Sequence, residues 1–304
     1  MARRKKLPKE PPFVLIGRQQ ELERIKENIL KRQHTALIGA IGTGKSHLLR
    51  YATKDLKKLI YVEHIQPLKS ALISIAKDLH KDGRLKIEGV VCEYLEWEDL
   101  KRKVSRLPIM ELLACIVEGI QGQDYTLVLD HLEGLTPSMA FTVSLLMDKA
   151  LVLGATNDLK DSGHLSRIWW RFDVIELKNL SKEESLQLLW LYADEKKVED
   201  KFMFENKILS HSAGNPLAIV EMAKKTENTN FDSLQKIRDL HHDAGIKYLD
   251  LTPALLIIGA LVIAVRFIAL GLNDVDTYIL AGSAGAFFIF LRYFIYRSMR
   301  KTKQ

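Results

Sequence analysis

Residues 35–46 read Thr35-Ala36-Leu37-Ile38-Gly39-Ala40-Ile41-Gly42-Thr43-Gly44-Lys45-Ser46. A short apolar run enters a glycine-rich loop. The loop then enters His47-Leu48-Leu49-Arg50-Tyr51-Ala52, which has the character of a helix. The last eight residues of the quoted stretch fit G-x-x-x-x-G-K-[ST] at every fixed position, in the strand–loop–helix setting that gives the pattern its meaning. Glycines let consecutive backbone N–H groups turn inward toward phosphate oxygens. The helix starting near Lys45 adds the positive end of its dipole. The stretch predicts a nucleoside triphosphate site built by Gly39, Ala40, Ile41, Gly42, Thr43, Gly44, Lys45, Ser46 and His47. Lys45 is expected on the β- and γ-phosphates and the Ser46 hydroxyl on Mg²⁺.

Apolar runs recur on either side of this loop. Residues 58–64, 125–130, 150–157 and 172–177 read as four further strands. Helical patterns at 19–31, 68–81, 96–121 (with a break near Pro108) and 137–149 separate them. Buried strands alternating with helices predict a parallel α/β sheet. Beyond Leu180 the pattern is purely helical. It opens on a capping box, Ser181-Lys182-Glu183-Glu184, and continues at about 200–211, 215–227 and 231–243. The expected domains are a basic disordered arm (1–12), an α/β domain (13–180), a helical lid (181–245) and a two-helix hairpin with a basic tail (246–304). Asp130 ends the third strand, where a carboxylate in P-loop proteins holds Mg²⁺ through its waters.

With these residues on the page, the chain resembles the AAA+ P-loop ATPases, in particular origin-initiator, archaeal-type and transposition-regulator members. The resemblance covers roughly 13–245. Ile16-Gly17-Arg18-Gln19-Gln20-Glu21-Leu22 is similar to the family's opening motif, which implies Ile16, Gly17 and Arg18 at the adenine. Thr156-Asn157 ends the fourth strand where the family keeps its polar sensor of the γ-phosphate. Arg167 and Arg171 precede the fifth strand, where the family often places an arginine finger for a neighbouring subunit. Ala213-Gly214-Asn215-Pro216-Leu217 resembles the lid's Gly-Asn-Pro signature, shared with STAND signalling ATPases, and implies Pro216 at the nucleotide. The resemblance implies ATP and Mg²⁺ as ligands, ATP hydrolysis and self-assembly. One departure stands out. Many such ATPases carry Glu directly after the metal Asp, and here that position is His131. Glu133, two residues on, and Glu63, at the end of the second strand, are the candidates to orient the attacking water, with Glu133 preferred. A neutral His131 is also able to hold a water.

Residues 253–272 and 278–296 are each about the 20 apolar residues that a helix needs to cross a bilayer. Between them Asn273-Asp274-Val275-Asp276-Thr277 permits only a tight hairpin. Lys236, Arg238 and Lys247 precede the pair; Arg292, Arg297, Arg300, Lys301 and Lys303 end or follow it. That asymmetry predicts both ends in the cytoplasm and a two-span anchor in a cell membrane, the prokaryotic inner membrane. Arg266 within the first span is expected to snorkel or to pair with Asp274 or Asp276. Ala260 with Ala264, and Gly282 with Ala286, would permit close helix packing.

The net charge of +7 fits an anionic partner, either a lipid face or DNA bound electrostatically, and no DNA-reading motif is recognisable. The arm Arg3-Arg4-Lys5-Lys6 is the readiest contact for either, and a solvated tail is its plainer reading. Two cysteines, Cys92 and Cys115, exclude a disulfide scaffold and a Cys-based metal site. The opening residues do not read as a secretory signal. The sequence thus predicts a membrane-anchored ATPase that assembles on ATP and remodels or recruits a protein client. A DNA-transaction ATPase assembling on DNA near the membrane, a slow signalling or defence switch acting through the hairpin, and an assembly ATPase of an envelope or secretion machine are the alternatives.

Overall fold

The computed structural model describes residues 14–159, 163–228, 235 and 252–301. The arm expected over 1–12 lies outside these residues, as does nearly all of the helix expected over 231–243. The chain divides into two units, Met1–Ile246 and Lys247–Gln304.

The first unit is built on a five-stranded sheet in the order β2-β3-β4-β1-β5. Its strands are β1 (Thr35–Ile38), β2 (Leu59–Val62), β3 (Thr126–Leu129), β4 (Leu151–Thr156) and β5 (Asp173–Glu176). All four pairings are parallel. The strands β3 and β4 are buried along their whole length, which is why their sequences are continuously apolar instead of alternating. Successive side chains still leave opposite faces of the sheet. Ala36, Leu127, Leu129 and Val152 join a core on one face with α3 (Leu68–Lys81), α4 (Trp97–Arg106), α5 (Ile109–Ile120) and α6 (Pro137–Met147). Leu37, Val128, Leu151 and Leu153 join a second core on the other face, with α1 (Gln19–Leu30) and α2 (Lys45–Thr53). The sheet is therefore covered on both sides. The break expected near Pro108 separates α4 from α5. Leu107, forced from the helical region by the proline after it, is extended at φ −60°, ψ 138°.

After α7 (Gly163–Trp169) and β5 come three helices, α8 (Lys182–Tyr192), α9 (Lys201–Ser212) and α10 (Pro216–Asn228). They share a small core of their own, including Leu189, Phe204, Ile208, Ile219 and Met222. The capping box at Ser181 and Glu184 is formed. Gly214 has φ 78°, and a Cβ on it would lie 2.4 Å from the Leu180 carbonyl. Glycine is what lets the α9–α10 turn cross the start of the lid, where Leu180 N donates to Gly214 O at 2.8 Å.

The second unit is a pair of antiparallel helices, α11 (Thr252–Gly271) and α12 (Val275–Lys301). Their seam holds Gly259 against the Phe288 ring and Gly285 against Val262, with Ala269 and Ala281 buried. The small-residue pairs expected to allow close packing, within the hairpin or between subunits, are not in this seam. Ala260, Ala264 and Ala286 are exposed, and a Cβ on Gly282 would meet nothing within 4 Å. Arg266 pairs with neither aspartate. It donates to the Tyr278 hydroxyl at 2.9 Å and lies 4.9 Å over that ring, while Asp274 accepts from Thr277. Outward-facing side chains of the pair are apolar and largely exposed, among them Ile257 (69%), Phe267 (67%) and Leu280 (71%). Among the described residues no helix is long and apolar enough to cross a membrane.

Candidate active site

Strand register gathers the sequence-predicted residues at one edge. Ile38, before the phosphate loop, pairs with Thr156 at the end of β4. Leu129 of β3 pairs with Gly154 of β4, and Asp130 N donates to Val62 O at 2.9 Å. The loop, Asp130 and Asn157 thus emerge side by side at the carboxyl ends of three strands, the edge where open α/β sheets bind ligands.

Gly42 and Gly44 take φ 83° and 90°, conformations that side chains with a Cβ resist. Gly44 stands at the start of α2 and supplies no side-chain cap, so the first N–H groups of that helix are left for an anion. The Lys45 ammonium donates to Gly39 O at 2.9 Å, Ala40 O at 3.0 Å and Asn157 Oδ1 at 2.9 Å. Burial lowers the Lys45 pKa, and the charges of Glu133 and Asp130 pull it back up. Asn157 in turn donates through Nδ2 to Glu133 Oε1 at 3.1 Å. That oxygen also lies 3.1 Å from His131 Nδ1. The other oxygen, Oε2, is buried and takes no hydrogen bond from any described group.

Asp130 is 3% exposed. Its Oδ2 accepts from the Tyr61 hydroxyl at 2.9 Å and its Oδ1 from His131 N at 3.0 Å. Burial, and then the Asp130 charge, push the Tyr61 pKa up, which keeps the phenol a donor. The two candidate carboxylates fare differently. Glu63 is turned to Arg50 Nη2 at 2.6 Å and its side chain is 65% exposed, whereas Glu133 joins Lys45 and Asn157. Thr156 gives its hydroxyl to Asp158 O at 2.7 Å, so it shapes the strand tip and Asn157 alone of the two faces the lysine.

Beside these groups lies a cavity of about 470 Å³. The phosphate loop, Lys45, Ser46, His47, His131, Glu133 and Asn157 line its polar side. Val14, Leu15, Ile16, Leu188, Tyr192, Leu217 and Val220, with Arg18 and Pro216, line the rest. Gly17 does not line it. A Cβ there would lie 2.4 Å from the Glu184 carboxylate, so Gly17 lets the lid approach. Arg18, beside it, donates to Glu21 at 3.2 Å and to the Lys178 carbonyl. The lid also grips the loop. Asn215 Nδ2 donates to Ile41 O at 2.8 Å and Leu217 N to Gly42 O at 3.1 Å. A Cβ on Gly42 would lie 2.6 Å from Asn215 Oδ1.

Arg167 and Arg171 lie elsewhere. Asp173 N bonds to His34 O, just before β1, so the residues leading into β5 stand at the opposite edge of the sheet. Arg167 is exposed. Arg171 donates to Ser144 O (3.2 Å), Ser144 Oγ (3.0 Å) and Asp148 (2.7 Å). Sequence reading missed Tyr61 as a partner of Asp130, the grip of Asn215 and the lid wall of Leu188, Tyr192 and Val220. Only the helical spacing of Leu188 with Tyr192 (i, i+4) and of Leu217 with Val220 (i, i+3) hinted at the last.

Among the described residues no group of three or more His, Cys, Asp or Glu is arranged to hold a metal. Mg²⁺ in a P-loop site asks for less, since it takes one or two hard oxygen ligands and keeps several waters. The Ser46 hydroxyl and the Asp130 carboxylate fit that donor set.

Neither protein-family models nor curated proteins match the chain. Solved structures do. A Walker-type ATPase of Pyrococcus abyssi aligns with TM-score 0.51 and 14% identity over 88% of this chain and 79% of that one. A point mutant of Thermotoga maritima RuvB aligns with TM-score 0.50 and 15% identity over 78% and 76%. AMPPCP-bound DnaA from Aquifex aeolicus is more distant, at TM-score 0.47, 18% identity, 76% and 69%. At these identities the likeness is one of fold. The chain has the fold of the AAA+-type P-loop ATPases.

Proposed function

We propose that this protein is an ATPase that binds MgATP in the cavity between phosphate loop and lid, hydrolyses it, and works at a membrane to which its helical pair holds it. The observation that carries the reading is the chain Lys45–Asn157–Glu133, which ties a carboxylate lining the cavity to the phosphate loop. In this reading Lys45 and the loop amides bind the phosphates. Ser46 and Asp130 hold Mg²⁺, which supplies charge neutralisation on the phosphate oxygens. Asn157 reads the terminal phosphate through Lys45, and Glu133 takes the proton from the attacking water. The apolar wall from Ile16 to Tyr192 takes the base, with Pro216 closing over it. Arg167, exposed and unlike Arg171 not tied to its own chain by a described bond, is the residue offered to a second copy during assembly.

The grip of Asn215 and Leu217 on the loop favours a second reading, a slow ATP-controlled switch. Turnover that rises when Asn215→Ala frees the loop supports the switch. Unchanged turnover supports the faster remodelling ATPase.

Support for the membrane comes from the helical pair. In the sequence the apolar stretches 253–272 and 278–296 are each near the ~20 residues that a helix needs to span a bilayer. The apolar side chains facing away from the seam have no protein to cover them within the pair. Flotation of purified protein with anionic and with neutral vesicles tests this. Association that survives high salt fits insertion. Association lost in salt fits a basic surface contact, and none at all rejects the anchor. Nucleotide binding is tested separately, with a fluorescent ATP analogue on the wild type and on Lys45→Ala.

A further inference from the structure

We infer that His131 is a positioning residue for Glu133. Its Nδ1 and the amide of Asn157 together fix Glu133 Oε1, and so hold in one orientation a carboxylate that lines the cavity. This rests on the reading of the site as an ATPase. His131 has φ 56°, a left-handed turn that costs a non-glycine residue strain. That turn carries the chain from the end of β3 into the short 3-10 segment Leu132–Gly134, whose Glu133 reaches Asn157. The segment is held on both sides. Leu132 is 1% exposed and packs so closely on β4 that a Cβ on Gly154 would lie 2.6 Å from it. The Gly134 carbonyl accepts from Gln66.

Within this frame the backbone N–H of His131 holds Asp130 at 3.0 Å and its ring holds Glu133 at 3.1 Å. One residue thus sets both carboxylates. The ring is itself held by the His64 ring, 4.8 Å away and tilted by 30°. With the proton on Nδ1 the ring donates to Oε1, and Asn157 donates to the same atom. Two donors on one oxygen restrict carboxylate rotation. A histidine at this position therefore substitutes a donor for the carboxylate that the chain carries two residues later.

The test uses the full-length protein in detergent, with kcat and KM for ATP and the affinity of a fluorescent ATP analogue. His131→Phe keeps a ring against His64 and removes the donor. It is expected to lower kcat about 10- to 100-fold, the scale of losing orientation, with KM and analogue affinity within about twofold. His131→Asn tolerates the left-handed backbone and keeps a donor near the place of Nδ1. It is expected to recover most of the loss. If His131→Phe does not fold, His131→Gly removes the donor without backbone strain and reports the same quantity. Wild-type kcat in either donorless variant overturns the inference, and so does a loss of nucleotide affinity that parallels the loss of kcat. Wild-type protein that hydrolyses ATP no faster than Lys45→Ala overturns the ATPase reading itself, and this inference with it.

Discussion

At the amino-terminal edge of the sheet, polar side chains close on one another. Asp173 accepts from Arg24 and from Asn28, which also donates to Thr35. Arg171 is taken by Ser144 and Asp148, and His34 Nδ1 accepts from Val152 N at 3.1 Å. At the carboxyl edge the same kinds of group form an open chain. Lys45 leads to Asn157, Asn157 to Glu133, and Glu133 ends on an unpartnered oxygen. A buried polar atom without a partner costs about 1–3 kcal/mol. Glu133 Oε2 shares that state with Trp169 Nε1 and Ser185 Oγ, and of these three residues Glu133 lines the cavity. The first edge holds the sheet together; the second carries the phosphate loop, and in the proposed reading it is where the chemistry takes place.

Substitutions at the two edges should therefore fail in different ways. The largest effect is expected for Lys45→Ala, which removes the ammonium bonded into the loop. Analogue binding and turnover should both vanish, and because Gly39 O, Ala40 O and Asn157 Oδ1 lose a donor, stability should fall by about 1–3 kcal/mol; an unchanged affinity would remove the loop from the site. Next comes Asp130→Ala. Mg²⁺-dependent turnover should be lost, and because Tyr61 and His131 N lose their acceptor, stability should fall by about 1–3 kcal/mol. At the opposite edge, Asn28→Ala should cost about 1–3 kcal/mol in denaturant titration and leave kcat alone. A fall in kcat with no loss of stability would erase the contrast between the edges.

The smallest effect concerns pH. Burial, then the charges of Arg171 and Arg32, hold the His34 pKa below its ordinary 6.5, against a weaker opposing pull from Asp148. The unfolded chain takes up that proton first as pH falls. The contribution of a neutral His34 is therefore complete above 6.5 and shrinks as pH drops from there toward the lowered folded value. His34→Gln should flatten that slope in melts between pH 7 and 5, and an unchanged slope would assign the acid sensitivity elsewhere.

The two edges also differed in how far the sequence disclosed them. The phosphate loop and Asp130 were legible because their spelling follows from local backbone needs: glycines where φ is positive, and a carboxylate at a strand end. The alternation of strands with helices was legible for the same reason, as was the break before Pro108. Contacts that depend on strand order were not. Tyr61 meets Asp130 only because β2 pairs with β3, and Arg171 sits far from the loop only because β5 begins beside the start of β1. Asn215 grips Ile41 across 174 positions, beyond any local pattern. Glu133 was preferred to Glu63 in the sequence, but its contact with Asn157 was not legible, because it depends on the left-handed turn at His131 and nothing in the residues around it announces that turn. In the helical pair the apolar stretches were plain, and the seam falls on Gly259, Gly285, Ala269 and Ala281, which leaves packing between subunits as the use of the small-residue pairs that the sequence also allowed.

The central claim is that the open chain at the carboxyl edge ends on the group that activates water. It is tested most directly by measuring ATP turnover of Glu133→Gln and Glu63→Gln side by side, with analogue affinity as the control. The account predicts that Glu133→Gln lowers kcat by about 10²- to 10⁴-fold, the usual contribution of a general base, with nucleotide still bound. Glu63→Gln, which gives up only an exposed pair with Arg50, should stay near wild type. The reverse pattern, or equal turnover in both, would contradict it.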